Sequence, residues 1–316
     1  MTGDGGHPLR RVNLIGAPTD IGAGTRGASM GPEALRVAGI GDALLRQGVE
    51  VHDTGNLLGP SNPWSEADAG LRHLQQCIQW NRLVHDAVLE SLSEGAMPLL
   101  MGGDHSLGIG SISAVARHCL EAGKQLRVLW LDAHTDCNTA DITPSGNIHG
   151  MPVACLCGLG PEALTHLSGI TPAVAPSQIF QVGIRSVDEP ERRLVHELGL
   201  EVFDMRYIDE MGMRHVMEQV LVQLGEETHL HVSLDADFLD PTIAPGVGTD
   251  ARGGPTYREA QLCMEMIADS GYLSSLDVME INPALDVRNQ TAALMVDLVE
   301  SLFGKTTLMR RVRQHR

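Results

Sequence analysis

The sequence predicts an α/β fold, a three-layer α/β/α structure built on a mostly parallel sheet of about eight strands. Short apolar runs such as Met97–Met101 and Arg127–Leu131 are typical of buried strands, and helical patterns separate them. Alternation of this kind produces a parallel sheet with helices on both faces. No repeat or low-complexity linker divides the chain, so residues 1–316 are expected to form a single domain.

The elements are assigned in order from their apolar patterns and end signals. Strands are expected at residues 11–17, 50–53, 97–101, 127–131, 179–184, 201–204, 229–234 and 273–279. Helices are expected at 32–48, 66–92, 106–122, 189–198, 211–224, 257–270 and 290–303. Pro32 suits the first turn of a helix. The glycine-rich loop at 22–31 lacks a G-x-G-x-x-G fingerprint, so it does not indicate a dinucleotide site.

Composition limits the possible partners. The formal net charge is −17, from 23 Lys and Arg against 40 Asp and Glu. This balance argues against nucleic acid and anionic membrane surfaces and suits a cationic ligand or metal ions, although ordinary solubility explains part of it equally well. The six cysteines form no CxxC pair, and no apolar signal region or membrane span is found. A cytoplasmic protein of a reducing compartment is expected.

The residues that stand out chemically follow predicted strands. Asp132, His134 and Asp136 alternate directly after a buried strand, so their side chains can converge on one point. Asp235 and Asp237 repeat the pattern after another strand. Strand ends also precede three further polar residues, namely His105, Asp188 and Glu280. Because parallel sheets bind ligands at the carboxyl ends of their strands, these residues are expected to share one site.

Four aspartates and two histidines exceed what one structural zinc requires. The metal ligands are expected to be His105, Asp132, His134, Asp136, Asp235 and Asp237. A set without thiolate suits a harder ion such as Mn²⁺. Six ligands serve two ions if two carboxylates bridge them, and such a pair generates hydroxide from water at neutral pH. Two hard ions such as Mn²⁺ are therefore predicted per subunit.

Five motifs in one order carry a family resemblance. GGDHS at 102–106, DAHTD at 132–136, SGNIHG at 145–150, SLDADFLDP at 233–241 and MEINP at 279–283 resemble the ureohydrolase family, and within it the arginases. The resemblance extends over nearly the whole chain, from residue 26 to residue 292. It implies that one Mn²⁺ is held by His105, Asp132, Asp136 and Asp235. It assigns the other to Asp132, His134, Asp235 and Asp237, with Asp132 and Asp235 bridging.

The resemblance implies hydrolysis of L-arginine to L-ornithine and urea by attack of a metal-bridging hydroxide on the guanidinium carbon. Glu280 would hold the cationic guanidinium through charge-assisted hydrogen bonds. His149 matches the family's proton-transferring histidine, and an imidazole suits this role near neutral pH. Asp136 is assigned a hydrogen bond from the hydroxide. Homotrimers or homohexamers are also implied by the family.

The loop between the metal motif and His149 is expected to select the substrate. By resemblance it would bind the α-carboxylate through Asn138, Thr143, Ser145 and Asn147, with Asp188 near the α-ammonium and Thr249 near the guanidinium. Departures from the family pattern lie nearby, at Ala140-Asp141, Ser186, Glu189-Pro190 and Asp250. They leave the metal ligands intact and bear on substrate preference. Asp141 would add a carboxylate near the substrate's own.

Other functions fit parts of the pattern. An agmatinase or guanidino-acid hydrolase would share the metal residues and differ in the substrate loop. A non-catalytic metal- or arginine-binding protein would not need His149 and Glu280 together. A zinc deacetylase of related architecture would need fewer metal ligands. The basic tail at residues 309–316 is expected to be a solvated end or to pair with acidic surface on a neighbouring subunit.

Overall fold

The structure, a computed structural model, describes residues 11–62 and 70–308, and one parallel sheet organises them. Eight strands lie in the order β2-β1-β3-β8-β7-β4-β5-β6, and every neighbouring pair is parallel. The strands are β1 (Arg11–Gly16), β2 (Glu50–Asn56), β3 (Met97–Met101), β4 (Gln125–Leu131), β5 (Ile179–Ile184), β6 (Glu201–Asp204), β7 (Thr228–Asp235) and β8 (Leu273–Met279). The predicted fold class and strand number are confirmed.

Helices cover both faces of the sheet within the described residues. They are α1 (Gly31–Val37), α2 (Ile40–Arg46), α3 (Leu74–Ser93), α4 (Gly108–Ala122), α5 (Pro152–Leu156), α6 (Glu162–Thr165), α7 (Glu189–Leu198), α8 (Met205–Met211), α9 (Met213–Leu221), α10 (Tyr257–Ser270) and α11 (Gln290–Leu302). Two apolar cores result: α1, α2 and α8–α11 pack on one face, and α3–α7 on the other. Alternate residues of a strand serve alternate cores, as Leu131 and Trp130 of β4 do.

Two predicted helices are wrong in detail. The segment 32–48 forms two helices, because Gly39 adopts a left-handed conformation at φ 84° and breaks the run. The segment 211–224 likewise contains a break, at Gly212, between α8 and α9. The predicted helix at 66–92 begins at Leu74 within the described residues; residues 66–69 lie outside them, as do residues 63–64 of the preceding loop. The basic tail at 309–316 also lies outside the described residues.

The strand order brings distant parts of the chain together. The four central strands are β3, β8, β7 and β4, in that order across the sheet. In the chain, β7 begins only about a hundred residues after β4 ends, so strands from distant parts of the sequence lie side by side. His105 follows β3, Glu280 follows β8, and Asp132 follows β4, while Asp235 is the last residue of β7. Their carboxyl ends lie side by side, so the candidate site forms at the middle of the sheet edge.

Cysteine usage and hydropathy add two observations. All six cysteines are unpaired, and five are buried. Burial raises the pKa of the Cys263 thiol to about 12, which keeps that thiol protonated. Among the helices of the described residues, none combines the length and apolar character that a bilayer crossing requires.

The close approach of two loops at Gly103 generates a first prediction. A Cβ at Gly103 would lie 1.6 Å from the carbonyl oxygen of Thr19, so neither backbone can accept Gly103→Ala without moving. We expect this variant to lose about 3 kcal/mol or more of its free energy of unfolding, measured by denaturant titration. Gly41→Ala in α2 is the matched control, because nothing lies within 4 Å of its added Cβ. Equal stability of the two variants would contradict the prediction.

Candidate metal centre and substrate cleft

His105 lies at the centre of the first group of ligand-type side chains. It begins a short helical turn after β3, which the Asp104 carboxylate caps by accepting a hydrogen bond from the Ser106 backbone. Its Nδ1 lies 2.8 Å from Asp235 Oδ2, 3.1 Å from Asp132 Oδ2 and 3.4 Å from Asp136 Oδ2. Three carboxylates from two strands therefore converge on one imidazole nitrogen.

His134 is the centre of the second group. Its Nδ1 lies 3.1 Å from Asp237 Oδ2 and 3.5 Å from Asp132 Oδ1. Asp132 thus presents one oxygen to each histidine, since its Oδ2 faces His105. Two sets of potential ligand atoms result, His105–Asp132–Asp136 and Asp132–His134–Asp237, and they share Asp132. Asp235 lies against the first set through its contact with His105.

The carboxylates are crowded and buried, and their pKa values reflect this. Burial and the charge of Asp132 raise the pKa of Asp136, and burial with the charge of Asp237 raises that of Asp235. The pKa of Asp237 is raised by burial and by Asp132. Burial alone would also raise the pKa of Asp132, but hydrogen bonds with both histidines hold it below its usual value. Negative charge is thus concentrated in a site that excludes water.

The histidines respond in the opposite direction. Burial alone would lower the pKa of His105, but Asp132 and its neighbours raise it to about 9. For His134, Asp237 and Asp132 outweigh burial and raise the pKa to about 12. Four carboxyl groups surround two imidazoles, so with every carboxylate ionised even two protonated histidines would leave excess negative charge. Oxygen and imidazole donors with uncompensated charge fit a pair of divalent cations.

Glu280 and His149 form a third feature above the acidic groups. His149 Nδ1 lies 2.9 Å from Glu280 Oε1, which also accepts a hydrogen bond of 2.9 Å from the His105 backbone. Burial opposes both charges, yet the pKa of His149 is raised and that of Glu280 is lowered, because each favours the charged form of the other. A charged carboxylate and an imidazolium are therefore favoured side by side.

A single cleft connects these groups to the predicted substrate residues. Its lining includes Asn138, Thr143, Ser145, Asn147, Asp188, Thr249 and Glu280. It also includes His149 and four of the metal-type residues, namely His134, Asp136, Asp235 and Asp237. His105 and Asp132 lie beneath it and are almost completely buried. Every residue assigned from the sequence to metal binding, substrate binding or proton transfer is thus in the cleft or directly under it.

Within the cleft, Thr249 and Asp188 are held by specific contacts. Thr249 Oγ1 donates a 3.2 Å hydrogen bond to Asp237 Oδ2, which links this loop to the acidic floor. Asp188 directly precedes α7, and its backbone N–H donates a 3.4 Å hydrogen bond to Glu191 Oε2. Asn138 and Asn147 each leave a side-chain oxygen buried without a hydrogen-bond partner. Unpartnered buried amides are unusual and are suited to contact a ligand.

Asp141 lies outside the cleft. It lines a neighbouring groove with Arg193 and Leu194 of α7. Asp141 is therefore a residue of that groove and is not among the cleft residues assigned to the substrate's α-carboxylate. Ser186, by contrast, lines the cleft.

Backbone strain is concentrated at two of these residues. Asp136 and Glu280 have φ values of 47° and 62°, in the left-handed region that side chains with a Cβ avoid. Such conformations cost roughly 1–3 kcal/mol each and persist where the surrounding structure imposes them. The fold therefore loses some stability by placing these two carboxylates in the site.

Known proteins resemble this chain over nearly its whole length. The family model described as "Arginase family" matches residues 10–304. The arginase of Bacillus caldovelox is 42% identical over 300 residues, which are 94% of this chain and 99% of that one. The chain belongs to the arginase family. It is accordingly a hydrolase of a metal-dependent family, and its ligand clusters are consistent with a binuclear centre.

Solved arginase-family structures share the fold. That of the B. caldovelox arginase superposes with a TM-score of 0.89 at 41% identity, covering 95% of this chain and all of that one. The arginase of Entamoeba histolytica, in complex with L-ornithine, has a TM-score of 0.87 at 29% identity with the same coverage. The three-layer architecture is therefore that of the arginase family.

Sequence reasoning missed residues that support the arginase-family centre from beneath. Ser233 Oγ lies 2.8 Å from His105 Nε2, and Trp130 donates a 2.9 Å hydrogen bond to Asp132 Oδ2. Arg185 donates to the backbone carbonyls of five residues, Gly183, Asp237, Phe238, Leu239 and Ala251. A signal existed for two of them, because Trp130 and Ser233 stand two positions before Asp132 and Asp235 on the same strand face.

The raised histidine pKa values predict proton release when metal binds. With pKa values of about 9 and about 12, His105 and His134 are protonated in the metal-free protein at pH 8. Coordination requires neutral imidazole, so loading both sites should release about two protons or more, and affinity should fall as the pH falls. Calorimetry of Mn²⁺ binding in two buffers of different ionisation enthalpy measures this number. Binding without proton release would contradict the prediction.

Proposed function

We propose that this protein is a Mn²⁺-dependent arginase that hydrolyses L-arginine to L-ornithine and urea. The observation that carries the proposal is the pair of ligand groups sharing Asp132 directly beneath a cleft whose wall holds a buried glutamate. Two divalent cations would neutralise the carboxylates at the floor of the cleft, and a guanidinium cation would pair with the charge of Glu280. A guanidinium supplies both a cation that a carboxylate can hold and a carbon that a nucleophile activated by a metal pair can attack. Few other substrates combine the two.

The proposed ligands of the two Mn²⁺ ions are His105, Asp132, Asp136 and Asp235 for one, and Asp132, His134, Asp235 and Asp237 for the other. Asp132 is suited to bridge, because its two oxygens face different histidines. When bound, the ions would supply Lewis acidity that activates water as the nucleophile.

The chain's own residues would then orient the substrate. Glu280 carries a charge favoured by His149 and would hold the guanidinium by charge-assisted hydrogen bonds. At the other end of the cleft, the amides and hydroxyls of Asn138, Thr143, Ser145 and Asn147 offer donors for an α-carboxylate. Asp188 would pair with the α-ammonium. This arrangement penalises agmatine, because its lack of a carboxylate would leave those donors unpaired.

His149 is the proposed proton carrier. In the overall reaction the bond between the guanidinium carbon and Nε breaks, and the departing nitrogen must gain a proton to leave as an amine. His149 lines the cleft, and the charge of Glu280 raises its pKa. The imidazolium can therefore donate that proton and be reprotonated from solvent. Asp136 would accept a hydrogen bond from the nucleophile, and Thr249 would place its hydroxyl near the guanidinium.

Several broader assignments remain part of the proposal. A single domain, a cytoplasmic location and assembly into homotrimers or homohexamers are expected from the sequence and the family resemblance. L-arginine is the proposed small-molecule partner, and neither nucleic acid nor a membrane is proposed as one. Deleting residues 309–316 tests whether the basic tail contributes to assembly, since an unchanged oligomeric mass would exclude that role.

The substrate prediction is tested by urea release after chelator dialysis and reloading with Mn²⁺. We expect metal-dependent urea from L-arginine and at least about a hundredfold less from agmatine at equal concentration, because unpaired buried donors are costly. The chelated protein without Mn²⁺ is the control. Preference for agmatine or guanidinobutyrate would replace the arginase proposal by another ureohydrolase. No urea from any of them, with metal bound, would favour a binding protein.

The role of Glu280 is tested by Glu280→Gln. Loss of one charge-assisted interaction with the guanidinium, about 1.5–3 kcal/mol, should raise KM for L-arginine roughly tenfold to a hundredfold. Asp141→Asn is the matched control, because it removes a carboxylate from the groove outside the cleft and should leave KM unchanged. Similar KM values for the two variants would argue against guanidinium binding by Glu280.

A further inference from the structure

Trp130 contacts two proposed metal ligands at once. Its ring stacks on the imidazole of His105, with centroids 4.1 Å apart and planes 8° from parallel. Its indole N–H, the only polar group of the side chain, donates to Asp132 Oδ2 at 2.9 Å. The side chain is completely buried. One rigid group thus touches a proposed ligand that follows β3 and a proposed ligand that follows its own strand, β4.

These contacts restrict the orientation of the His105 ring. Trp130 covers one face of the imidazole, and Ser233 Oγ lies 2.8 Å from Nε2. The ring can neither flip nor tilt without breaking one of these contacts, and Nδ1 is left facing the carboxylates. A histidine ligand is commonly oriented in this way by the partner of its second nitrogen.

The hydrogen bond to Asp132 has a separate effect. Oδ2 is the oxygen that faces His105, while Oδ1 faces His134. The indole therefore holds the Asp132 oxygen that faces the His105 group, whereas Oδ1 accepts its own hydrogen bond from the His134 backbone. Residues i and i+2 of a strand lie on one face, so β4 itself holds donor and acceptor in register.

We propose that Trp130 is a positioning residue that holds His105 and Asp132 in ligand geometry before an ion arrives. It thereby sets the affinity of the ion bound at the His105 group. This inference rests on the proposed metal centre. It assigns no contact between Trp130 and substrate, because the ring lies beneath the cleft and does not line it.

The test compares Mn²⁺ binding to the full-length protein and two tryptophan variants by equilibrium dialysis. Trp130→Phe keeps an aromatic ring and removes the N–H donor, whereas Trp80→Phe is the matched control. Trp80 is also buried, on α3, and its N–H donates to the Pro60 carbonyl away from the centre. Loss of an outer contact to a ligand typically weakens metal binding 10- to 100-fold, and we expect about that at one of two sites in Trp130→Phe.

The possible results of this experiment test the positioning role of Trp130 separately from the proposed metal centre. Two ions on the unsubstituted protein, with one weakened only in Trp130→Phe, would support the positioning role. Identical affinities in both variants would overturn it while leaving the metal centre in place. Equal weakening of both ions, with a lower Tm of the metal-free variant, would overturn it in favour of a purely structural role. Absence of binding to the unsubstituted protein would instead reject the metal centre.

A second measurement applies if Trp130→Phe does not fold. Replacing Trp64 and Trp80 by Phe leaves Trp130 as the sole indole, whose emission can be followed during Mn²⁺ titration. A ring already in place should change its intensity when the adjacent ion binds and keep its emission maximum. A shift of the maximum would mean that the ring moves on binding and would overturn the inference. An unchanged intensity would place the ion elsewhere and overturn it as well.

Discussion

The repulsion among four buried aspartates is the constraint on which this site depends. Asp132, Asp136, Asp235 and Asp237 lie around two imidazoles with almost no exposure of the four carboxylates. Like charges in a water-poor environment are strongly unfavourable unless cations or protons neutralise them. The opposed pKa shifts of the aspartates and histidines express this need. Metal ions and protons therefore compete for the same centre.

The fold resists that repulsion through its backbone. Each aspartate stands at or just after the end of a central parallel strand, where neighbours on both sides hold the chain. Left-handed backbone at Asp136 and Glu280 stores strain that a freer chain would release. Arg185 ties the segment after β7 to the end of β5 and to the loop near Thr249 through backbone carbonyls. The carboxylates cannot move apart, so the charge remains concentrated.

Floor and wall of the cleft are built differently. The floor comes from strand ends and is rigid, whereas the wall comes largely from the loop 138–147, from the start of α7 and from the loop at Thr249. Catalytic groups that a family shares are suited to the strand ends of the floor. Groups that select among substrates are suited to the loops of the wall, which tolerate changes of sequence. The position of Asp141 illustrates the difference: this charged residue of the loop lines the groove beside α7 and not the cleft.

Local sequence determined much of this protein. Apolar runs marked the strands, and alternate Asp and His residues after two of them marked the candidate metal ligands, because spacing along an extended chain fixes which side chains share a face. Tertiary structure alone decided that β8 and β7 lie between β3 and β4, which places His105 against Asp235 and Asp132. It also decided the stacking of Trp130 on His105. Such contacts join residues far apart in the chain, and their energies depend on packing that no local pattern encodes.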